Sequence, residues 1–137
     1  MAANTRMATA VQILCVIAYK WPLGTTAEVI SRSLMTNPVV VRRLLKQMEQ
    51  NGLVELRPGK DGGVQLKRDP DEITLDQVYQ AVEDEPNVFA LRPGGNPKCP
   101  VQVRMEPLLA PIFAATDAAV NRTLQQKTLG SLMQTIR

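Results

Sequence analysis

The sequence predicts a mainly α-helical fold with a small β-hairpin, arranged as a winged helix-turn-helix plus C-terminal dimerisation helices. Three observations predict it. Apolar residues recur at helical spacing in three segments before residue 52. The spacing then changes to a short alternation around a glycine-rich tip, which is typical of a hairpin. A long apolar stripe near the C-terminus returns to helical spacing.

The first two helices open the predicted helix-turn-helix. Residues 5–18 form the first helix, which the residues after Trp21 bring to an end. Thr26 can cap a second, short helix that turns Ile30 and Leu34 inward. A tight turn at residues 35–36 then leads into a third helix, as the motif requires.

The third helix carries two rows of side chains. Asn37 is the predicted N-cap with proline after it, and Asn-Gly at residues 51–52 marks the end. Helical spacing predicts one buried apolar row: Val41, Leu44, Leu45 and Met48. The second row offers three cations with almost no acid nearby and suits a DNA major groove: Val39, Arg42, Arg43 and Lys46. Either Val39 or its neighbour Val40 belongs to the core, and the pattern leaves open which.

The predicted hairpin pairs residues 53–56 with residues 64–67. Its tip carries two cations and the turn-forming residues that permit close backbone approach: Arg57, Pro58, Gly59, Lys60, Gly62 and Gly63. A glycine-rich loop can instead hold a nucleotide phosphate, but here a strand follows it rather than a helix N-terminus. A capping box at residues 74–77 predicts a further helix to about residue 82.

The sequence predicts a DNA-binding domain over residues 1–83, a loop over residues 84–98 and a helical dimerisation segment over residues 99–137. Cys99 and Pro100 resemble a cap and a first-turn proline. The stripe from Val101 to Leu124 contains Pro107 and Pro111, which predict a kink or two helical pieces. The stripe is longer than a small winged domain needs, so we expect a homodimer interface; packing onto the first helix is the alternative.

Composition excludes several classes of function. The chain has 137 residues, two cysteines and no histidine, so we expect no metal site, no cofactor and no enzymatic activity. No apolar run approaches the ~20 residues that span a bilayer. Without a recognisable signal peptide, we expect no membrane partner and a cytoplasmic location.

Charge is segregated along the chain. Residues 32–68 hold eight Lys/Arg and three Asp/Glu, whereas residues 69–89 hold seven Asp/Glu and no base. A positive side favours a phosphate-bearing partner, double-stranded DNA above all, and Thr26 can add a hydroxyl contact to phosphate. The alternative interpretation is that the basic and acidic blocks are ordinary solvent-exposed faces without a charged partner. The alternative function is a protein–protein interaction module that docks through the acidic block 69–85.

The two cysteines differ in their expected chemistry. Cys99 is predicted at a helix N-terminus beside Lys98, and both features favour the thiolate of a redox-sensing residue. The alternative is an inert cap. Cys15 lies on the apolar face of the first helix, where a small buried hydrophobe is expected, although a Cys15–Cys99 disulfide, within one chain or across a dimer, stays open.

Six segments together resemble the Rrf family of bacterial regulators, the IscR/NsrR/CymR type. The resemblance covers nearly the whole chain, and its most specific parts are the glycines of the hairpin tip and the segment 69–75. The segments are Val40–Leu45, Asn51–Val54, Arg57–Gly63, Asp69–Leu75, Asn96–Val101 and Thr128–Leu129.

The resemblance implies a homodimeric transcriptional regulator, a repressor by expectation, that binds a palindromic operator. The third helix would enter the major groove with Asn37, Val39 and Arg42 at base-contacting positions, and the tip residues Arg57, Pro58 and Gly59 would reach a neighbouring minor groove or its backbone. Well-known members carry three cysteines before the dimerisation helix. This chain has one there, so the signal is expected to be an oxidant at Cys99 or a small apolar molecule held by Phe89 and Phe113.

Overall fold

The protein, described by a computed structural model over residues 4–59 and 63–137, is mainly helical with one antiparallel hairpin. This confirms the predicted fold class. The helices are α1 Arg6–Lys20, α2 Ala27–Leu34, α3 Pro38–Gln50, α4 Leu75–Val82, α5 Gln102–Gln125 and α6 Leu129–Ile136. The strands are β1 Val54–Arg57 and β2 Gly63–Leu66, and a 3₁₀ turn spans Pro70–Glu72. Lys60 and Gly62 of the predicted tip lie outside the described residues.

The core surrounds α1, which contacts α2, α3, α4, α6 and β2. Apolar side chains at 0–2% exposure come from α1, α2, α3 and α6, and burial of each contributes about 1.5–3 kcal/mol. No helix among the described residues combines the length and the apolar character needed to cross a bilayer. The main core side chains are Ile13, Leu14, Ile17, Ile30, Val41, Leu44, Leu45, Met48 and Leu129.

Both predicted caps of the helix-turn-helix are confirmed. The Thr26 hydroxyl accepts a hydrogen bond from the backbone N–H of Val29 at 3.1 Å. The Asn37 side chain accepts from the N–H of Val39 at 2.8 Å. Gly52, with a φ of 75°, ends α3 in the left-handed conformation as the Asn-Gly pair predicts.

The hairpin is attached to the start of α2. Thr25 and Val64 exchange two backbone hydrogen bonds, of 2.9 and 2.7 Å. A Cβ on Gly63 would lie 2.6 Å from the Thr25 carbonyl oxygen, so this approach requires glycine. The bridge therefore holds the hairpin beside the helix-turn-helix.

The last helix, α6, packs within the same core as the helix-turn-helix. Leu129 donates its N–H to the Ile73 carbonyl at 2.8 Å, and Leu129 and Met133 are buried. The end of the expected 99–137 segment thus lies against α1 and the 3₁₀ turn. The Thr128 hydroxyl caps this helix, accepting from the Ser131 N–H at 3.0 Å.

Of the two expected effects of the prolines, a kink or two helical pieces, the second does not occur, since α5 is a single helix of 24 residues. Pro107 and Pro111 each remove one backbone donor, but both are exposed, so the carbonyls they leave unbonded can reach water. Cys99 is not the side-chain cap either. The helix begins at Gln102, and only the Cys99 carbonyl takes part, accepting from the Val103 N–H at 3.2 Å.

A substitution at Gly130 should test the packing of α6 against the 3₁₀ turn. A Cβ there would overlap the Asp71 carboxylate. Gly130→Val should therefore destabilise the protein by about 1–3 kcal/mol, measured by thermal or urea unfolding, because its larger side chain also meets the Asp71 backbone, whose Cα lies 3.2 Å from the added Cβ. Adding Asp71→Ala should restore part of the loss; equal stability of Gly130→Val and wild type would contradict this packing.

Candidate nucleic-acid interface

The exposed row of α3 lies opposite its buried row, as predicted. Arg42, Arg43 and Lys46 are exposed, and Val39 is 58% exposed. Val40 packs against the core, which settles the choice between the two valines. Asn37 uses its side-chain oxygen for the cap, which leaves its amide nitrogen as the group that can meet a ligand.

A groove between the start of α2, the exposed side of α3 and the hairpin brings most of the predicted site residues together. We call it the interface groove. Asn37 at the N-cap of α3, and Val39 and Arg43 within the helix, lie outside its lining. Lys60 lies outside the described residues. The predicted site residues that line it are Thr26, Arg42, Lys46, Arg57, Pro58 and Gly59.

The row of cations has an acid beside it, which corrects the expectation from the sequence. Arg42 Nη2 donates to Glu28 Oε1 at 2.7 Å, and both side chains are more than half exposed. The hydrogen bond from Arg42 lowers the pKa of Glu28. The carboxylate is therefore charged throughout the neutral range, and the pair is lost only as the pH falls through that lowered pKa.

Sequence reasoning missed Glu28 because it precedes Arg42 by 14 residues and belongs to another helix. The packing of α2 against α3 brings the two together. The predicted helix-turn-helix could have indicated this pair, because the motif places the first turn of α2 near the middle of α3.

The hairpin is also tied directly to α3. Glu49 near the end of α3 accepts from the Leu56 N–H of β1 at 3.3 Å. Arg57 Nε lies 3.8 Å from Glu55 Oε1. This ion pair is exposed, so it contributes little to stability. Because of the Glu49 bond and the Thr25–Val64 bridge, the hairpin and α3 present one continuous surface.

The cysteines occupy different surroundings. Cys15 packs against the core, and burial raises the pKa of its thiol, which disfavours the reactive thiolate. Cys99 lies half-buried in the turn before α5. Both are free thiols in this structure, so the two do not form a disulfide within one chain.

One side of α5 packs against the loop and α4. The rings of Phe89 and Phe113 contact each other with centroids 5.4 Å apart. Asp117 accepts from the Val88 N–H at 2.8 Å. The two aromatic residues proposed for a small ligand therefore pack on one another, with Phe89 55% exposed.

The other side of α5 carries apolar side chains that face solvent. Leu108 and Ile112 are 57% and 58% exposed, and Val101 just before the helix is 64% exposed. Their spacing of seven and four residues places them on one side of a helix. We call these three residues the α5 stripe.

Comparison with known proteins agrees with this geometry. The chain is 36% identical over 130 residues to YwnA of Bacillus subtilis (strain 168), named as an HTH-type transcriptional regulator, covering 95% of this chain and 96% of that one. A crystal structure described as a DNA binding protein shares 34% identity and a TM-score of 0.75, covering 93% of this chain and 98% of that one. CymR of B. subtilis, the global cysteine regulator, shares the fold at a TM-score of 0.71 and 20% identity, covering 98% of each chain.

The matching family is described as "Rrf2: Iron-dependent Transcriptional regulator", over residues 3–135. The donor set of this chain does not fit a protein-bound iron centre. It has two cysteines and no histidine, and over residues 4–59 and 63–137 no three Cys, Asp or Glu side chains gather as metal ligands would.

The matching family and YwnA are both named as transcriptional regulators rather than enzymes, in agreement with the expectation from composition. The family match spans nearly the whole chain, and the winged helix-turn-helix carries exposed cations on its third helix. This protein therefore belongs to the Rrf2 family of transcriptional regulators.

Proposed function

We propose that the protein is a repressor that binds a palindromic operator in double-stranded DNA as a homodimer, in the bacterial cytoplasm. The observation that carries the proposal is the exposed row of α3 beside the hairpin. Arg42 and Arg43 can make forked contacts to guanine or phosphate, and Lys46 is suited to phosphate. Asn37 and Val39 are base-contacting candidates near the start of α3.

The hairpin and the start of α2 extend this surface. In the proposed complex, α3 enters the major groove, while Arg57, Pro58, Gly59 and Lys60 reach an adjacent minor groove or its backbone. The Thr26 hydroxyl would approach a phosphate. The attachment of the hairpin to α2 and α3 supports simultaneous contact by both elements, because neither has to be ordered separately on binding.

Dimerisation would supply the second half-site. A two-fold dimer presents two recognition helices, and operator symmetry then mirrors protein symmetry. The exposed α5 stripe supports this proposal, because an apolar face of that length is costly to leave in water.

The signal that releases the operator would act between residue 94 and α5. Oxidation of Cys99 is one candidate, since peroxide converts a thiolate to a sulfenic acid at the point where the dimerisation helix begins. A small apolar molecule that separates Phe89 from Phe113 is the other. Either event would change the position of α5 and with it the spacing of the half-sites.

Substitutions on α3 test the DNA proposal. Gel-shift titration on a duplex selected from a random pool should show affinity falling linearly in log salt concentration, as counterions are released. Arg42→Ala should lose about 1–3 kcal/mol of discrimination at one base position, whereas Lys46→Ala should weaken all sequences alike. Lack of duplex binding by wild type would instead favour the interaction module that docks through residues 69–85.

A charged residue in the α5 stripe tests the dimer. Ile112→Asp should raise the dimer dissociation constant at least about a hundredfold, because the change removes apolar burial twice in a two-fold interface. Sedimentation equilibrium measures it. Val103→Asp is the matched control, since Val103 is 53% exposed on another side of α5. Equal effects of the two substitutions would refute the α5 stripe as the interface.

Cysteine substitutions test the redox signal. Peroxide should weaken operator binding by wild type and by Cys15→Ser roughly tenfold, within the usual range of allosteric coupling. Cys99→Ser should bind equally before and after treatment. Unchanged affinity in both wild type and Cys99→Ser would leave the small apolar ligand as the candidate signal.

A further inference from the structure

The guanidinium of Arg42 is held from a neighbouring helix. Its Nη2 donates to Glu28 Oε1 at 2.7 Å across the contact between α2 and α3. Over the part of the chain that the structure describes, Glu28 is the one acceptor bonded to Arg42. The guanidinium has five N–H donors, so its other donors can bind a second group while the pair with Glu28 persists.

An arginine whose guanidinium is oriented by a carboxylate differs from an unpaired arginine in the DNA groups that it contacts. The guanine edge offers two acceptors, O6 and N7, which match two parallel donors of a guanidinium in one orientation. An arginine without a partner samples many rotamers and binds the nearest phosphate on any sequence. Restricting its orientation before binding lowers the ordering cost of the base contact.

The charge of Glu28 has a separate effect, on affinity for all sequences. Glu28 lines the interface groove with Arg42 and Lys46, so in the proposed complex its carboxylate lies near the DNA backbone. A carboxylate there repels phosphate on every sequence. This repulsion is common to all sequences, so it lowers overall affinity, while the preference comes from the guanine contact that the positioned Arg42 can make.

We propose that Glu28 is a specificity-determining residue, which positions Arg42 for a guanine edge and weakens binding to sequences that lack it. This inference rests on the proposed function of α3 as the recognition helix. The pair is exposed on both sides, so its contribution to folding is small and its effect should appear in binding.

Glu49 provides a matched control within the same groove. It also lines the interface groove and carries the same charge, but its carboxylate accepts from the Leu56 N–H rather than from Arg42. Glu49→Gln therefore removes one negative charge without removing the partner of Arg42.

The test uses two duplexes, one selected from a random pool by the wild-type protein and one with the same bases scrambled. Glu28→Ala, which removes both the charge and the acceptor, should bind the scrambled duplex several-fold more tightly, and its preference for the selected duplex should fall by at least about fivefold. Glu28→Gln removes the charge but keeps an amide oxygen that can accept from Arg42, so it should bind the scrambled duplex more tightly and lose less of the preference. Glu49→Gln should shift both duplexes by the same factor and keep the preference. Thermal unfolding of each variant checks that the fold is retained.

Coupling to Arg42 separates positioning from charge alone. When Arg42→Ala is already present, adding Glu28→Ala should leave the preference unchanged. The inference is overturned if Glu28→Ala keeps the wild-type preference, or if it lowers the preference as much in the Arg42→Ala protein. If wild type selects no duplex at all, the proposed function itself fails, and this inference fails with it.

Discussion

Burial of one side of α3 is the constraint on which the rest of the structure depends. Val41, Leu44, Leu45 and Met48 are 0–2% exposed. Rotating α3 about its axis would expose several of them, and each would cost about 1.5–3 kcal/mol. The opposite side is therefore held toward solvent, and its cations form a surface whose direction is set by packing rather than by their own contacts.

The hairpin belongs to this surface because two polar links join it to the helices. The Thr25–Val64 bridge fixes β2 at the start of α2, and Glu49 holds β1 from the end of α3. Together with the Glu28–Arg42 pair, these links use side chains and backbone groups from three elements to order one groove. A two-stranded hairpin alone is marginally stable, so its attachment is what makes it usable for recognition.

The long helix α5 has two apolar sides, of which one is packed within the chain and the other is exposed. One side packs on α4 and on the preceding loop through Phe113 and Asp117. The other side carries the α5 stripe and remains exposed. This division accounts for the excess apolar length of the C-terminal segment, since the fold of one chain covers only part of it.

The sequence by itself determined the features that depend on neighbours along the chain. The caps at Thr26 and Asn37, the glycine end of α3 and the hairpin follow from local hydrogen bonding and side-chain period, and all are observed. The buried and exposed rows of α3 follow from the helical repeat. Only the tertiary structure decided the pairing of Glu28 with Arg42, the placement of α6 in the core and the choice between Val39 and Val40. The continuity of α5 through its prolines was decided there too. These outcomes depend on contacts between distant segments and on access to water, for which the local pattern carries no signal.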